Sequence, residues 1–259
     1  MDLGLKGKTV LITGGSKGIG AFCAETLAEE GCKLVLVART QSELEKTQAK
    51  LQMNGAEVRI RPADLSKEQV VREVAAEFPD VDILVNNAGA IRPGTLTEVD
   101  EALWRSYWEL KVFGYVNMTR AYYAHMKKRG KGVIINIIGA AGERMRANYI
   151  AGSTGNASLM AFTKAVGSTS PDDGIRVVGV NPATVLTDKS IDSAKKWAKK
   201  EFGDEGRWKE YTKDKPFGRA IEPLEISSLV AFLASDRCSG YTSGQVFTVD
   251  GGELHRRDN

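Results

Sequence analysis

The sequence predicts an α/β protein, a single doubly wound domain with a seven-stranded parallel sheet and helices on both faces. Three observations predict it. Seven short runs of β-branched and aliphatic residues alternate with longer segments of helical periodicity. A glycine-rich turn joins the first of these runs to the first helical segment. The 259 residues are 42% hydrophobic, enough for one substantial core. Strands that alternate with helices imply right-handed crossovers, and therefore a parallel sheet covered on both sides.

In chain order the strands are "KTVLIT" (8–13), "CKLVLVA" (32–38), "EVRIRPAD" (57–64), "VDILVNN" (81–87), "KGVIINIIG" (131–139), "IRVVGVNP" (175–182) and "QVFTVDGG" (245–252). Near-continuous apolar runs of this kind suit strands buried on both faces. Between them, "GAFCAETLAEE" and "QSELEKTQAKLQMNG" space apolar residues by three and four, with a glycine closing the pattern. "NYIAGSTGNASLMAF" (148–162) reads as the opening of a further helix. The one long stretch without strand character, 188–215, is charged and carries Trp197 and Trp208. It lies where open sheets bind ligands, so it is a candidate lid. One domain over 1–259 follows.

Composition excludes several classes of function. The 36 basic and 33 acidic residues leave a net charge of +3, no electrostatic footprint for nucleic acid or an anionic membrane, so a small-molecule partner is expected. Cys23, Cys32 and Cys238 lack metal or disulfide spacing, as do His125 and His255 for metal, so reduced thiols and no metal site are expected. No apolar run of about 18 residues and no signal-peptide pattern is present, and the expectation is a soluble, cytoplasmic protein.

The glycine-rich turn is "TGGSKGIG" (13–20). Gly14 permits a tight turn, Gly18 and Gly20 allow close approach of backbone and helix, and the free amides at the helix start suit a pyrophosphate. Its spacing departs from GxGxxG and matches the TGxxxGxG fingerprint of the short-chain dehydrogenase/reductase family, which the chain resembles over nearly its whole length. The resemblance implies a Rossmann fold. It also covers "ADL" (63–65), "NNAG" (86–89), "NPATVLT" (181–187, with Ala183 for a glycine), and the C-terminal "PFGRAIEPLEISSLVAFLAS" and "SGQVFTVDGG". Carried onto this chain, it implies a nicotinamide cofactor held by Gly14, Ser16, Lys17, Gly18, Ile19, Gly20, Arg39, Asp64, Leu65, Asn87, Ala88, Gly89, Asn156, Pro182, Val185 and Thr187. Where an acidic residue would select NAD, the second strand ends Ala38-Arg39, and Lys17 lies in the glycine turn. Two cations converging on one ribose favour a 2'-phosphate, hence NADP(H).

The family's reaction rests on a serine after the fifth strand, a YxxxK pair on the next helix and an asparagine on the preceding one. Matching the motifs puts Gly139 at the serine, Gly152 at the tyrosine, Asn156 at the lysine and Lys111 at the asparagine. Lysine and asparagine have thus changed places, and the resemblance implies that Lys111 supplies the charge while Asn156 bonds the ribose hydroxyls. Tyr149, one turn before Gly152, shares its face and is a candidate proton donor. Ser153, Glu143 and Lys111 itself are further candidates. Lys195, Lys196, Lys199 and Lys200 pair at i, i+4 and are either a solvated face or a site for a carboxylated or phosphorylated substrate.

Three functions remain open on these grounds. They are an NADP(H)-dependent carbonyl/alcohol oxidoreductase with a rearranged proton-transfer site, a cofactor-binding pseudoenzyme or structural subunit, and a non-redox lyase on the same fold. The resemblance further implies a homodimer or homotetramer.

Overall fold

In the computed structural model, which describes residues 1–256, the seven strands form one sheet, all parallel, in the order β3-β2-β1-β4-β5-β6-β7. The first half of the chain runs β1 (Thr9–Thr13), α1 (Gly18–Glu29), β2 (Lys33–Ala38), α2 (Gln41–Met53), β3 (Val58–Pro62), α3 (Glu68–Glu77) and β4 (Ile83–Asn86). The chain then returns across β1, pairing β4 with it at Val10–Ile83, and this reversal of winding opens a crevice at the carboxyl ends of β1 and β4.

The second half begins with α4 (Glu101–Trp108), which passes through a π-helical turn, Glu109–Phe113, into α5 (Gly114–Arg129). β5 (Gly132–Ile137), α6 (Ile150–Thr169), β6 (Ile175–Pro182), α7 (Asp188–Phe202), α8 (Pro223–Ala234), the short α9 (Asp236–Ser239) and β7 (Val246–Val249) complete the domain. The expected strands are all present, shortened at their ends where the sequence runs into turns. The stretch 188–215 is not extended chain but α7 followed by 3-10 turns, and Trp197 packs edge-on against Phe202 and Tyr211 within it.

Alternate residues of each strand enter opposite layers. Val10 and Ile12 join the layer with Leu27 of α1, Leu44 of α2 and Ile226 of α8, while Leu11 joins Val74 of α3 and Tyr122 of α5. Between the layers the sheet carries a buried polar chain. Asn86 donates to Thr119 Oγ1 (3.1 Å) and Asn136 Oδ1 (3.0 Å), and Asn136 donates to Thr163 Oγ1 (2.9 Å), so α5, β4, β5 and α6 are cross-linked. No helix among the described residues is long and apolar enough to cross a membrane.

Candidate active site

The crevice at the strand ends is a cleft of about 370 Å³. Gly14, Ser16, Lys17, Gly18 and Ile19 form its floor, Ala38 and Arg39 one end, Ala63 and Leu65 a side, and Asn87, Ala88 and Gly89 the other end. Gly14 holds a left-handed φ of +66°. A Cβ on Gly20 would collide with the Gly14 carbonyl oxygen and stand 2.5 Å from Asn87 Nδ2, so the helix can start this close to the turn only with glycine there. Asn87 fastens the turn by donating to the carbonyls of Thr13 (3.0 Å) and Gly14 (3.2 Å). Thr13 Oγ1 accepts from the amides of Asn87 (2.9 Å) and Ala88 (3.0 Å) in return.

Opposite the turn, Thr187, Asp188 and Lys189 at the start of α7 close the cleft, and a Cβ on Gly18 would lie 3.8 Å from the Thr187 methyl. Thr187 and Ser190 form a reciprocal cap there. Lys17, Arg39 and Lys189 line the cleft without an ion-pair partner among the described residues. A narrow cleft floored by glycines, with the first amides of a long helix and three free cations, fits a phosphorylated dinucleotide.

Lys189 and Thr47 escaped the sequence reading. Thr47 reaches from α2 to donate to the Ser16 carbonyl (2.9 Å), a long-range support that no local pattern encodes, whereas Lys189 stands two residues from a motif threonine. Asp64, Pro182 and Val185 are not cleft walls. Asp64 is exposed and accepts from the amide and hydroxyl of Ser66 at 3.1 and 2.8 Å, and Val185 is buried where the chain bridges to Ile221.

Beyond Gly89 the cleft meets β5 and α6, and three glycines there are covered by side chains from elsewhere. The stem of Lys111, borne by the π-helical turn, runs across Gly89 so closely that a Cβ there would collide with its Cδ. Its ammonium donates to the carbonyls of Ile137 and Ile138 and to the Tyr115 hydroxyl, each at 3.0 Å, and Tyr115 donates in turn to Ile137 (2.7 Å). Lys111 is 9% exposed and has no carboxylate partner among the described residues, and burial lowers its pKa to about 7. Gly139 follows at φ +138°, and where its side chain would project lies the Asn156 amide, with Nδ2 2.9 Å from the Cβ position. Asn156 is 4% exposed and its side chain has no hydrogen-bond partner among the described residues, yet neither amide atom is sealed from solvent.

The third glycine is Gly152. Tyr149 caps the start of α6 and folds its ring back onto the space a Cβ on Gly152 would fill. Tyr149 packs against the cluster of Ile91, Val99 and Ala151, as Trp104, Tyr107 and Trp108 also do, and the Trp108 indole donates to the Ala151 carbonyl (3.0 Å). The Tyr149 hydroxyl has no hydrogen bond among the described residues, and burial, with the neighbouring Tyr107, raises its pKa. Ser153 and Glu143 are engaged otherwise. The Ser153 hydroxyl accepts from the Arg146 amide (3.0 Å), and the Glu143 carboxylate accepts from Asn181 Nδ2 (3.0 Å) and Thr248 Oγ1 (2.9 Å). Lys195, Lys196, Lys199 and Lys200 line neither end of this site and make no ion pair among the described residues.

Comparison with known proteins agrees with this architecture. Residues 8–197 match the family model described as short chain dehydrogenase, and the chain belongs to that family of oxidoreductases. It is 34% identical over 254 residues to the 3-oxoacyl-(acyl-carrier-protein) reductase FabG of Vibrio cholerae, covering 96% of this chain and 98% of the relative. Among solved structures, L-sorbose reductase from Gluconobacter frateurii, complexed with NADPH and L-sorbose, superposes with a TM-score of 0.92 at 34% identity, over 99% of this chain and 100% of that one. An NAD+-bound xylitol dehydrogenase superposes with a TM-score of 0.86 at 25% identity, over 96% of this chain and 99% of that one.

Proposed function

We propose that the protein is an NADP(H)-dependent oxidoreductase that interconverts a carbonyl and an alcohol on a small molecule, with its proton-transfer group relocated to Tyr149. The observation that carries this reading is the Tyr149 ring, which takes the side-chain space of Gly152 while leaving its hydroxyl without a protein partner. The cofactor, when bound, supplies or accepts the hydride. The chain's own residues do the rest. The raised pKa keeps Tyr149 protonated at neutral pH, so the phenol is an acid for a forming alkoxide. Lys111, part-protonated near neutral pH because burial lowers its pKa to about 7, lends positive charge beneath the Ile138–Gly139 segment in its ammonium form. Asn156, beside Gly139, offers an unengaged amide to a ligand hydroxyl or carbonyl.

Cofactor choice rests on charge. Relatives of this fold carry NADPH or NAD+, and here Lys17 and Arg39 line the cleft where the adenosine ribose of a dinucleotide lies, with no acidic residue at the end of β2. The sorbose reductase supports both NADP(H) and a small carbonyl substrate. One observation favours a protein that holds cofactor without turnover, since all three ammonium donors of Lys111 are already taken by protein oxygens.

Tyr149→Phe separates the two. On a panel of aldehydes and ketones with NADPH, loss of the phenol is expected to lower kcat about 10²- to 10⁴-fold with cofactor affinity unchanged. An undiminished rate would remove Tyr149 from the chemistry, and NADPH binding without oxidation by any carbonyl would favour the non-catalytic reading.

A further inference from the structure

Outside the cleft described above, one cluster of charges has no counterpart in the reaction. The loop from β5 to α6 carries Arg144 and Arg146, and the loop is pinned rather than free. Glu143, just before Arg144, is bonded by Asn181 and Thr248, and the Arg146 amide donates to Ser153 (3.0 Å) while its carbonyl accepts from the Tyr149 amide (3.0 Å). The Arg146 backbone is therefore tied to the start of α6, where Tyr149 stands.

Both guanidinium groups turn toward the same oxygen. Arg144 Nη1 is 3.7 Å and Arg146 Nη2 3.9 Å from Oε1 of Glu253, while Lys215, at the end of the segment following α7, reaches that oxygen at 2.6 Å. Only the lysine is within hydrogen-bond distance of the carboxylate. Arg144 has one further bond, to the Glu253 carbonyl (3.3 Å), and the Arg146 guanidinium has none among the described residues. The nearby Asp250 offers no relief, because its carboxylate accepts from the amides of Gly252 and Leu254. Three cations thus face one carboxylate that is 13% exposed, and the two arginines, 43 and 51% exposed, keep their planar forks open to solvent.

Two convergent, underused guanidinium forks are suited to a planar or tetrahedral oxyanion. Resting on the oxidoreductase reading, we infer that the substrate carries an anionic group, a carboxylate or phosphate, received by Arg144 and Arg146 on the loop that leads into Tyr149. Glu253 is the internal anion that holds the arginines together when substrate is absent and competes with it when present. This differs from the lysines of α7, which carry charge but converge on nothing.

The test uses the full chain loaded with NADP+ and two pairs of probes that differ in charge, 4-oxopentanoate against its methyl ester and dihydroxyacetone phosphate against dihydroxyacetone. Binding is measured by calorimetry, and turnover with NADPH by absorbance. The charged member of at least one pair is expected to bind about tenfold or more tightly than its neutral partner. Which pair shows the effect separates carboxylate from phosphate. Arg146→Gln should abolish that preference while leaving the neutral member and the cofactor unaffected, and Glu253→Gln should strengthen it. Opposite responses of two variants cannot come from misfolding. Charged and neutral probes that bind alike, or an Arg146→Gln protein that keeps the preference, would overturn the inference while cofactor binding leaves the oxidoreductase reading standing. Failure of the chain to bind NADP(H) would strike that reading instead.

Discussion

Gly89, Gly139 and Gly152 each lack a side chain where a neighbour's takes the room, namely Lys111, Asn156 and Tyr149. The consequence is energetic as well as chemical, most clearly at Lys111. Its pKa of about 7 in the folded protein lies below the ordinary 10.5 because burial disfavours the ammonium. Between those values the unfolded chain holds a proton that the folded chain has lost, so stability rises with pH across that window. The penalty is fully present below about 7 and is relieved as pH climbs toward 10.5. Lys111→Met keeps the apolar stem and removes the titration. It is expected to flatten this rise, worth a few kcal/mol at most, in thermal denaturation of both proteins across the window. The carbonyls of Ile137 and Ile138 would lose a partner at every pH, so the slope, not the absolute stability, is the diagnostic. At Gly152, substitution by alanine would push the Tyr149 ring off its seat. Turnover of Gly152→Ala is expected to fall toward that of Tyr149→Phe with NADPH affinity kept, as steady-state kinetics and fluorescence titration would check.

Among the elements, the turn between β1 and α1 and the end of β2 are the ones that the proposed function makes responsible for cofactor choice. Arg39 follows β2 directly and Lys17 precedes α1, so both charges line the cleft. Arg39→Ala is expected to weaken NADPH about tenfold or more while leaving NADH nearly unchanged, because only the first carries a 2'-phosphate for a charge-assisted bond. Titration of both cofactors by fluorescence measures it, and equal losses would assign Arg39 to the common part of the dinucleotide. The π-helical turn at Glu109–Phe113 is the element that aims Lys111 inward. Its extra residue shifts the helix face there, a distortion often found at functional sites, and nothing in the local periodicity announces it.

For the whole molecule, the sheet fixes the relation of the cleft to the loops that surround it, since every strand delivers its carboxyl end to the same edge. The π-helical turn exposes Phe113, and α8 exposes Leu224 and Phe232. The family resemblance leads one to expect a homodimer or homotetramer, and light scattering at micromolar concentration should return a mass that is a multiple of the chain's. A monomer there would set the expectation aside.

Strand and helix order, the parallel sheet and the glycine turn were legible because each is local, written in apolar period, in glycine spacing and in the residues that flank them. The assignment of Gly139, Gly152, Asn156 and Lys111 to the positions of the family's motif is likewise a local reading, and it stands as part of the proposal. What they do in space was not legible. That the Asn156 amide covers Gly139, that Lys111 reaches the carbonyls of Ile137 and Ile138, and that Arg144, Arg146 and Lys215 converge on Glu253 all depend on contacts between residues well separated in sequence. Periodicity specifies which face of an element is buried. Which polar groups then meet across the ends of the strands is decided only when the layers pack, because hydrogen bonds and ion pairs act over a few ångströms and carry no sequence period of their own.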